Sequence, residues 1–351
     1  SMRRSGEALS PSPTVPGHPP ERTDRSDWAT LRRLFPYLWQ YKWRVAAALA
    51  FMVGAKVANV GVPVLLKNLV DAMTPKAGGP DLAQALLIVP IGLLLAYGLL
   101  RFSTSLFGEL RELIFAKATE GTARQIALEV FGHLHSLSLR FHLERQTGGM
   151  TRDIERGTRG VHSLISMSLY SIVPTIIELA LIVVVLLYQF DWRYVVVVLV
   201  VVALYMIYTY KATEWRIGIR RRMNDSDTDA NVKAIDSLLN YETVKYFGAE
   251  EREARRYDRA MARYEEASVQ AYVSLAVLNA GQAAIFTIGL ATVMVMCAYG
   301  IKDGSKTVGD FVMINAMMIQ LYQPLNFMGM VYREIKQAIT DIEIMFSILS
   351  R

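Results

Sequence analysis

The chain is poor in the residues that carry most soluble chemistry. Its 351 residues include one cysteine, Cys297, and five histidines. A single thiol excludes an internal disulfide framework. Placed in an apolar run, it reads as a small core residue. His133 and His135 stand two apart, on different faces of a helix, and His142 has no cysteine or carboxylate to complete a tight cluster. No metal site is expected. Charged residues make up only 20% of the chain, against 52% hydrophobic residues. No nucleophile–base pair or histidine box is present, which argues against a membrane-embedded enzyme. The 38 Lys and Arg exceed the 32 Asp and Glu. With no RNP, zinc-finger or basic-zipper pattern, that excess does not point to nucleic acid.

What the chain does have is length of apolar sequence. A mean hydropathy of +0.25 is too high for an ordinary soluble domain, and the charge is too high for bare membrane helices. A mixture of spans and solvated helices fits both. Residues 1–27 are rich in Pro and Ser and read as a disordered tail, too Pro-rich for a mitochondrial transit helix. Residues 28–44 place Leu31, Leu34, Phe35, Leu38 and Trp39 on one face, followed by Tyr41 and Trp43. This is expected to be a helix in the membrane surface, bent at Pro36. Six spans are expected over about 45–66, 82–107, 161–190, 194–210, 271–301 and 311–332, each near the roughly 20 residues a bilayer requires. Pro63, Pro90, Pro174 and Pro324 are expected to kink rather than end them.

The connections are lopsided. Three are short, 71–81, 191–193 and 302–310. Two are long, 108–160 and 211–266, and carry helical periodicity. Among basic residues only Lys76, Arg193, Lys302 and Lys306 lie in the short set. The positive-inside rule therefore puts the long loops and both termini on the cytoplasmic or equivalent side. The long loops are expected to be helical hairpins reversing at Gly148-Gly149 and near Gly248.

Several local sequences make the reading specific. Ser136 to Ile165 (SLSLRFHLERQTGGMTRDIERGTRGVHSLI), Asp236 to Glu251 (DSLLNYETVKYFGAEE) and Tyr322 to Phe346 (YQPLNFMGMVYREIKQAITDIEIMF) resemble the two intracellular hairpins and sixth span of an ATP-binding-cassette exporter. They are most similar to the mitochondrial-type half transporters of the heavy-metal-tolerance and iron–sulfur-linked subfamily. The resemblance runs from about Trp28 to Leu349. It implies an all-α membrane protein of the type I exporter fold, with six transmembrane helices and long cytoplasmic extensions. It also implies a twelve-span homodimer and a nucleotide-binding domain following Arg351 that would bind ATP and Mg²⁺. This chain holds no G-x-x-x-x-G-K-[ST] loop to cradle phosphates. Gly304-Ser305-Lys306-Thr307 lacks the glycine before the lysine and reads as a turn. The chain itself is expected to carry no cofactor and no catalytic residue, and the natural protein is expected to be longer.

Arg216 and Arg220 stand one turn apart just inside the fourth span. Two guanidinium forks at that spacing suit the carboxylates of a small anion; flanking of the span by positive charge is the other reading. The resemblance implies a cavity for glutathione-derived thiol, persulfide or metal conjugates, with these arginines on its wall. It also places Ser274, Leu278, Asn279 and Gln282 of the fifth span there, and Asn326, Gly329, Met330 and Arg333 of the sixth. For these residues helix–helix packing is the competing reading. Gly329 is expected to admit a ligand to the backbone and Met330 to adapt to it. Phe141, His142, Tyr241, Glu242 and Phe247, at the hairpin tips, are expected to engage the nucleotide-binding domain. Lys56, Arg101 and Glu178 are expected to pair within the bundle or snorkel. The alternative function is a self-contained six-span carrier or channel. The plain absence of matched broken helices and of a regular arginine repeat counts against it. A bacterial inner membrane is expected over a mitochondrial one.

Overall fold

The computed structural model describes residues 24–74, 82–136 and 147–349, and every regular element among them is helical. In chain order these are α1 Asp24–Trp39, α2 Lys42–Met73, α3 Leu82–Ser136 and α4 Thr147–Met167. A π-helical turn at Ser168–Ile172 leads into α5 Val173–Gln189. Then follow α6 Trp192–Leu239, α7 Tyr241–Tyr246, α8 Glu250–Asp303, α9 Val308–Asn326 and α10 Met328–Leu349.

Helix α6 has 48 residues and α8 has 54. At 1.5 Å per residue they run about 72 and 81 Å, more than twice a bilayer core of about 30 Å. Their spans therefore continue as helix far into water. Among the described residues, five helical stretches are long and apolar enough to cross a membrane. The sixth expected span is divided at Phe327 between α9 and α10. Pro324 cannot donate to the ladder, and Phe327 N–H turns back to Pro324 O at 3.3 Å, so the helix restarts at Met328. Here the proline does more than kink. Pro63 stays inside α2. Pro174 follows the π turn, where Val173 N–H reaches back five residues to Ser168 O. The wider turn makes room for a ring that would collide with the carbonyl four residues earlier.

Two boundaries differ from the sequence reading. Helix α1 begins at Asp24, inside the stretch read as tail, because the dense prolines end at Pro20. Gly148 and Gly149 fall in the first turn of α4, not at a reversal. The second hairpin does reverse at Gly248, whose φ of +59° is the left-handed conformation glycine adopts freely. The rest of the tail reading, residues 1–23, lies outside the described residues.

Helix α2 pairs with α3 and with α9, while α10 lies along α4. Helices α6 and α8 pair with each other and form a two-helix arm. Gly281 and Gly289 allow that pairing: a Cβ at Gly281 would lie 2.1 Å from Tyr208 Oη, and one at Gly289 would lie 2.4 Å from Val201. One core, with Phe115, Ile126, Val130, Ile342 and Met345, sits where α3, α4 and α10 meet. A second, with Ile182, Leu186, Tyr205, Val293, Met313 and Met317, joins α5, α6, α8 and α9.

Inside the second region Lys56 Nζ pairs with the buried Glu178 at 3.1 Å, and Asn59 Nδ2 donates to its other oxygen at 2.9 Å. Arg101 is exposed and its guanidinium donates to Tyr97 Oη at 3.0 and 3.1 Å. At the short-loop end, Gly304 caps α8 with φ +84°, and Thr307 with Asp310 forms a capping box on α9. Gly304–Thr307 is thus a turn.

Candidate functional site

Helices α6 and α8 and the α9–α10 break bring polar side chains together where the apolar spans give way to their charged extensions. On α6, Thr213, Arg216, Ile217 and Arg220 follow the i, i+3, i+4, i+7 rule and form one stripe. On α8, Leu275, Leu278 and Asn279 do the same. The break at Phe327 adds Asn326, Phe327, Gly329, Met330 and Arg333. The stripes enclose a cavity of about 360 Å³. Its wall mixes apolar Ile217, Leu275, Leu278, Phe327 and Met330 with the amides of Asn279 and Asn326. Three guanidinium groups reach it, and no carboxylate lines it. Such a surface suits a small anion with an apolar part.

Arg216 is half-buried and held: its Nε donates to Ser274 Oγ at 3.2 Å, and Ser274 in turn donates to Ala271 O at 2.7 Å. Arg333 lies 3.8 Å from Glu334, a loose pair on neighbouring residues. Outside the lining, Glu214 accepts from Tyr332 Oη and from Lys336 Nζ, the latter at 2.8 Å. That cluster ties α6 to α10 beside the arginines.

Eight of the ten residues read as cavity wall do line it: Arg216, Arg220, Leu278, Asn279, Asn326, Gly329, Met330 and Arg333. Ser274 and Gln282 do not. Both are fully buried on the α8 stripe that also carries Ala271, Phe286 and Gly289 and faces α6. Gln282 Nε2 donates to Thr209 Oγ1 at 2.8 Å, so its amide serves helix pairing. Gly329, on the cavity wall, also serves helix packing. A Cβ there would sit 2.9 Å from Thr213 Oγ1 and 3.4 Å from Thr209, so its missing side chain admits α6. Thr213, Ile217, Leu275 and Phe327 were not picked out from sequence. The first three were available from helical spacing about Arg216 and Leu278; Phe327 depended on the helix break.

At the far end of the arm, α7 carries Tyr241 and Glu242, with Phe247 following. Tyr241, Tyr246 and Phe247 are 58%, 86% and 76% exposed, an unusual display of large rings. Lys245 Nζ bridges to Glu250 at 3.1 Å across the Gly248 turn. Phe141 and His142 lie outside the described residues. Among the described residues no group of three or more His, Cys, Asp or Glu could hold a metal ion.

Comparison with known proteins agrees with this layout. The mitochondrial iron-sulfur clusters transporter atm1 of Aspergillus fumigatus is 40% identical over 332 residues, covering 92% of this chain and 45% of that protein. The mitochondrial iron-sulfur clusters transporter ABCB7 of Danio rerio is 41% identical over 329 residues, covering 91% of this chain and 44% of that protein. A bacterial Atm1-family ABC exporter, solved with ATP bound, superposes with a TM-score of 0.66 at 42% identity, covering 88% of this chain and 53% of that one. The chain spans about half the length of the curated relatives it matches. The family described as ABC transporter transmembrane region matches residues 45–325, and this multi-pass membrane chain belongs to it as an exporter transmembrane domain.

Proposed function

We propose that this chain is the cargo-translocating half of an ATP-driven exporter, and that the cavity between α6, α8 and the α9–α10 break receives glutathione-derived thiols, persulfides or metal conjugates. The observation that carries this reading is three arginines and no carboxylate on one cavity wall. Glutathione presents two carboxylates on a flexible, partly apolar body. Guanidinium forks at Arg216 and Arg220 match the former, while Leu278 and Met330 match the latter.

Driving such a cycle needs a nucleotide-binding domain. The 351 residues hold no phosphate loop, so ATP and Mg²⁺ do not fit this chain's own residues and belong to a separate domain. Phe141, His142, Tyr241, Glu242 and Phe247 would seat in it. The α6–α8 arm, with apolar residues such as Ile207, Val273 and Ile288 exposed, would reach across to a second copy in a homodimer. Cargo drives the cycle only by binding one conformation better than another. The long hairpins would face the bacterial cytoplasm, or a mitochondrial matrix if the chain is of that origin.

The test joins the chain to its nucleotide-binding domain and measures ATPase activity against glutathione concentration. Stimulation that disappears in Arg216→Ala with Arg220→Ala is the expected result. Unchanged stimulation would refute the anion site. Cargo flux in vesicles without nucleotide would favour a self-contained carrier instead.

A further inference from the structure

A second polar cavity, of about 420 Å³, lies between the start of α2 and the solvated half of α3. Tyr41, Lys117, Glu120, Gly121, Arg124 and Leu128 are among its walls. Its shape depends on a close approach, since a Cβ at Gly121 would fall 2.2 Å from Tyr41 Oη. The level of the bilayer surface is marked by the same segment. Trp39 and Trp43, flanking Tyr41, are 59% and 79% exposed, as rings at a membrane–water boundary are. Arg44, next along, donates to Ile114 O at 3.4 Å, which registers α2 against α3 at this depth.

The charges are set for an anion. Lys117 and Arg124 are exposed, and neither has a hydrogen-bond or ion-pair partner among the described residues. The one carboxylate in the pocket, Glu120, lies 3.1 Å from His162 Nε2, so two cations there face a single acid. Toward the membrane the same face of α3 presents Leu113 and Leu106, 73% and 40% exposed, with Glu109 at the edge of that stripe. Two cations below an exposed apolar strip, at the depth of interfacial tryptophans, match one class of ligand: an amphiphile with an anionic phosphate head and acyl tails.

We propose that this pocket binds the headgroup of an anionic phospholipid from the inner leaflet, with Lys117 and Arg124 on the phosphate and acyl chains along Leu113 and Leu106. The bound lipid would pin the surface helix α1 to α3 through Tyr41.

The test uses the full chain in nanodiscs of phosphatidylcholine with a graded fraction of phosphatidylglycerol, with lipid retention read by native mass spectrometry. Near-surface cations contribute about 1 kcal/mol each, so Lys117→Gln with Arg124→Gln should weaken phosphatidylglycerol retention about 30-fold. Arg255→Gln with Arg259→Gln, the same charge change far along α8, should leave it intact. Gly121→Ala, which displaces Tyr41, should also lower retention. Equal retention in the Lys117/Arg124 variant overturns the proposal. So does an equal loss in the Arg255/Arg259 control, which would reduce the effect to net charge. Inorganic phosphate separates the two sources of the anion: full displacement of the lipid by millimolar phosphate would mean a free-anion site and would overturn the lipid assignment.

Discussion

Ser274 Oγ accepts a hydrogen bond from Arg216 Nε at 3.2 Å while donating its own proton to Ala271 O, so a buried serine on α8 aims a guanidinium on α6 into the cavity. The serine touches no cavity space itself. Replacing it with alanine removes one hydroxyl and leaves packing nearly unchanged. Hydrogen bonds to charged groups contribute about 1.5–3 kcal/mol, but part of that returns when Arg216 finds water. Ser274→Ala should therefore weaken glutathione binding about three- to tenfold with little change in thermal stability. Calorimetric titration of the detergent-purified chain checks the affinity, and its thermal unfolding checks the stability. A large drop in stability with unchanged affinity would make Ser274 a packing residue only.

How far the sequence could be read follows from the range of the interactions. The apolar runs and the Arg216–Arg220 spacing are local, and both appear in the structure where the pattern put them. The choice of partner across helices is not local. Ser274 and Gln282 share a polar character with Asn279, yet at 100° per residue Ser274 turns toward α6 and Asn279 toward the cavity, while Gln282, in the angular sector of Leu275 and Leu278, is bonded to Thr209 one turn further along. Sequence shows that angle only if the buried face of α8 is known, and that face is decided by where Gly281 and Gly289 admit Tyr208 and Val201. The break at Phe327 likewise depends on the Phe327 N–H turning back to Pro324 O, whereas a proline in a span read alone is as readily a kink.

Glu178 illustrates a pair whose removal should cost more than its presence contributes. It is 1% exposed and bound to Lys56 and Asn59. Glu178→Ala leaves the Lys56 ammonium without its counter-charge inside the bundle, which should destabilise by about 3–5 kcal/mol. Lys56→Met with Glu178→Met should recover most of that loss, because an apolar pair of similar volume needs no desolvation. Thermal unfolding in one detergent compares the three proteins. A double variant no better than Glu178→Ala would show that the pair itself adds net stability.

Gly309 and Gly98 make a matched pair of tests. A Cβ at Gly309 would lie 2.4 Å from Asp71 Oδ1 and 2.5 Å from Lys67 O, and the second is backbone that cannot swing aside. Its N–H also donates to Asp71 Oδ1 at 3.0 Å, beside the Lys67–Asp310 pair at 2.6 Å. Gly309→Ala should force α9 away from α2 and cost about 1–3 kcal/mol. Gly98 has nothing within 4 Å of its Cβ position. There Gly98→Ala should be neutral or stabilise by up to about 1 kcal/mol through helix propensity. The ordering of the two melting temperatures is the measurement.

The Lys245–Glu250 bridge gives the exposed hairpin tip a defined pH response. The Glu250 carboxyl is held below its usual value, first by its own backbone N–H and then by Lys245. Lys245 is raised, first by its hydrogen bond to Glu250. A lowered acid contributes order above its unfolded value, and that order is lost as pH falls through the folded one. A raised base contributes below its unfolded value and loses it as pH climbs through the folded one. The tip should therefore be most protected between the ordinary carboxylate value of 4.5 and the ordinary lysine value of 10.5. Hydrogen exchange of amides 241–250, corrected for intrinsic rate, should be flat across that window and rise below it. Glu250→Gln should abolish the acid limb and leave exchange on α8 beyond residue 260 unchanged. If the acid limb persists in Glu250→Gln, another carboxylate at the tip governs its order and the bridge does not.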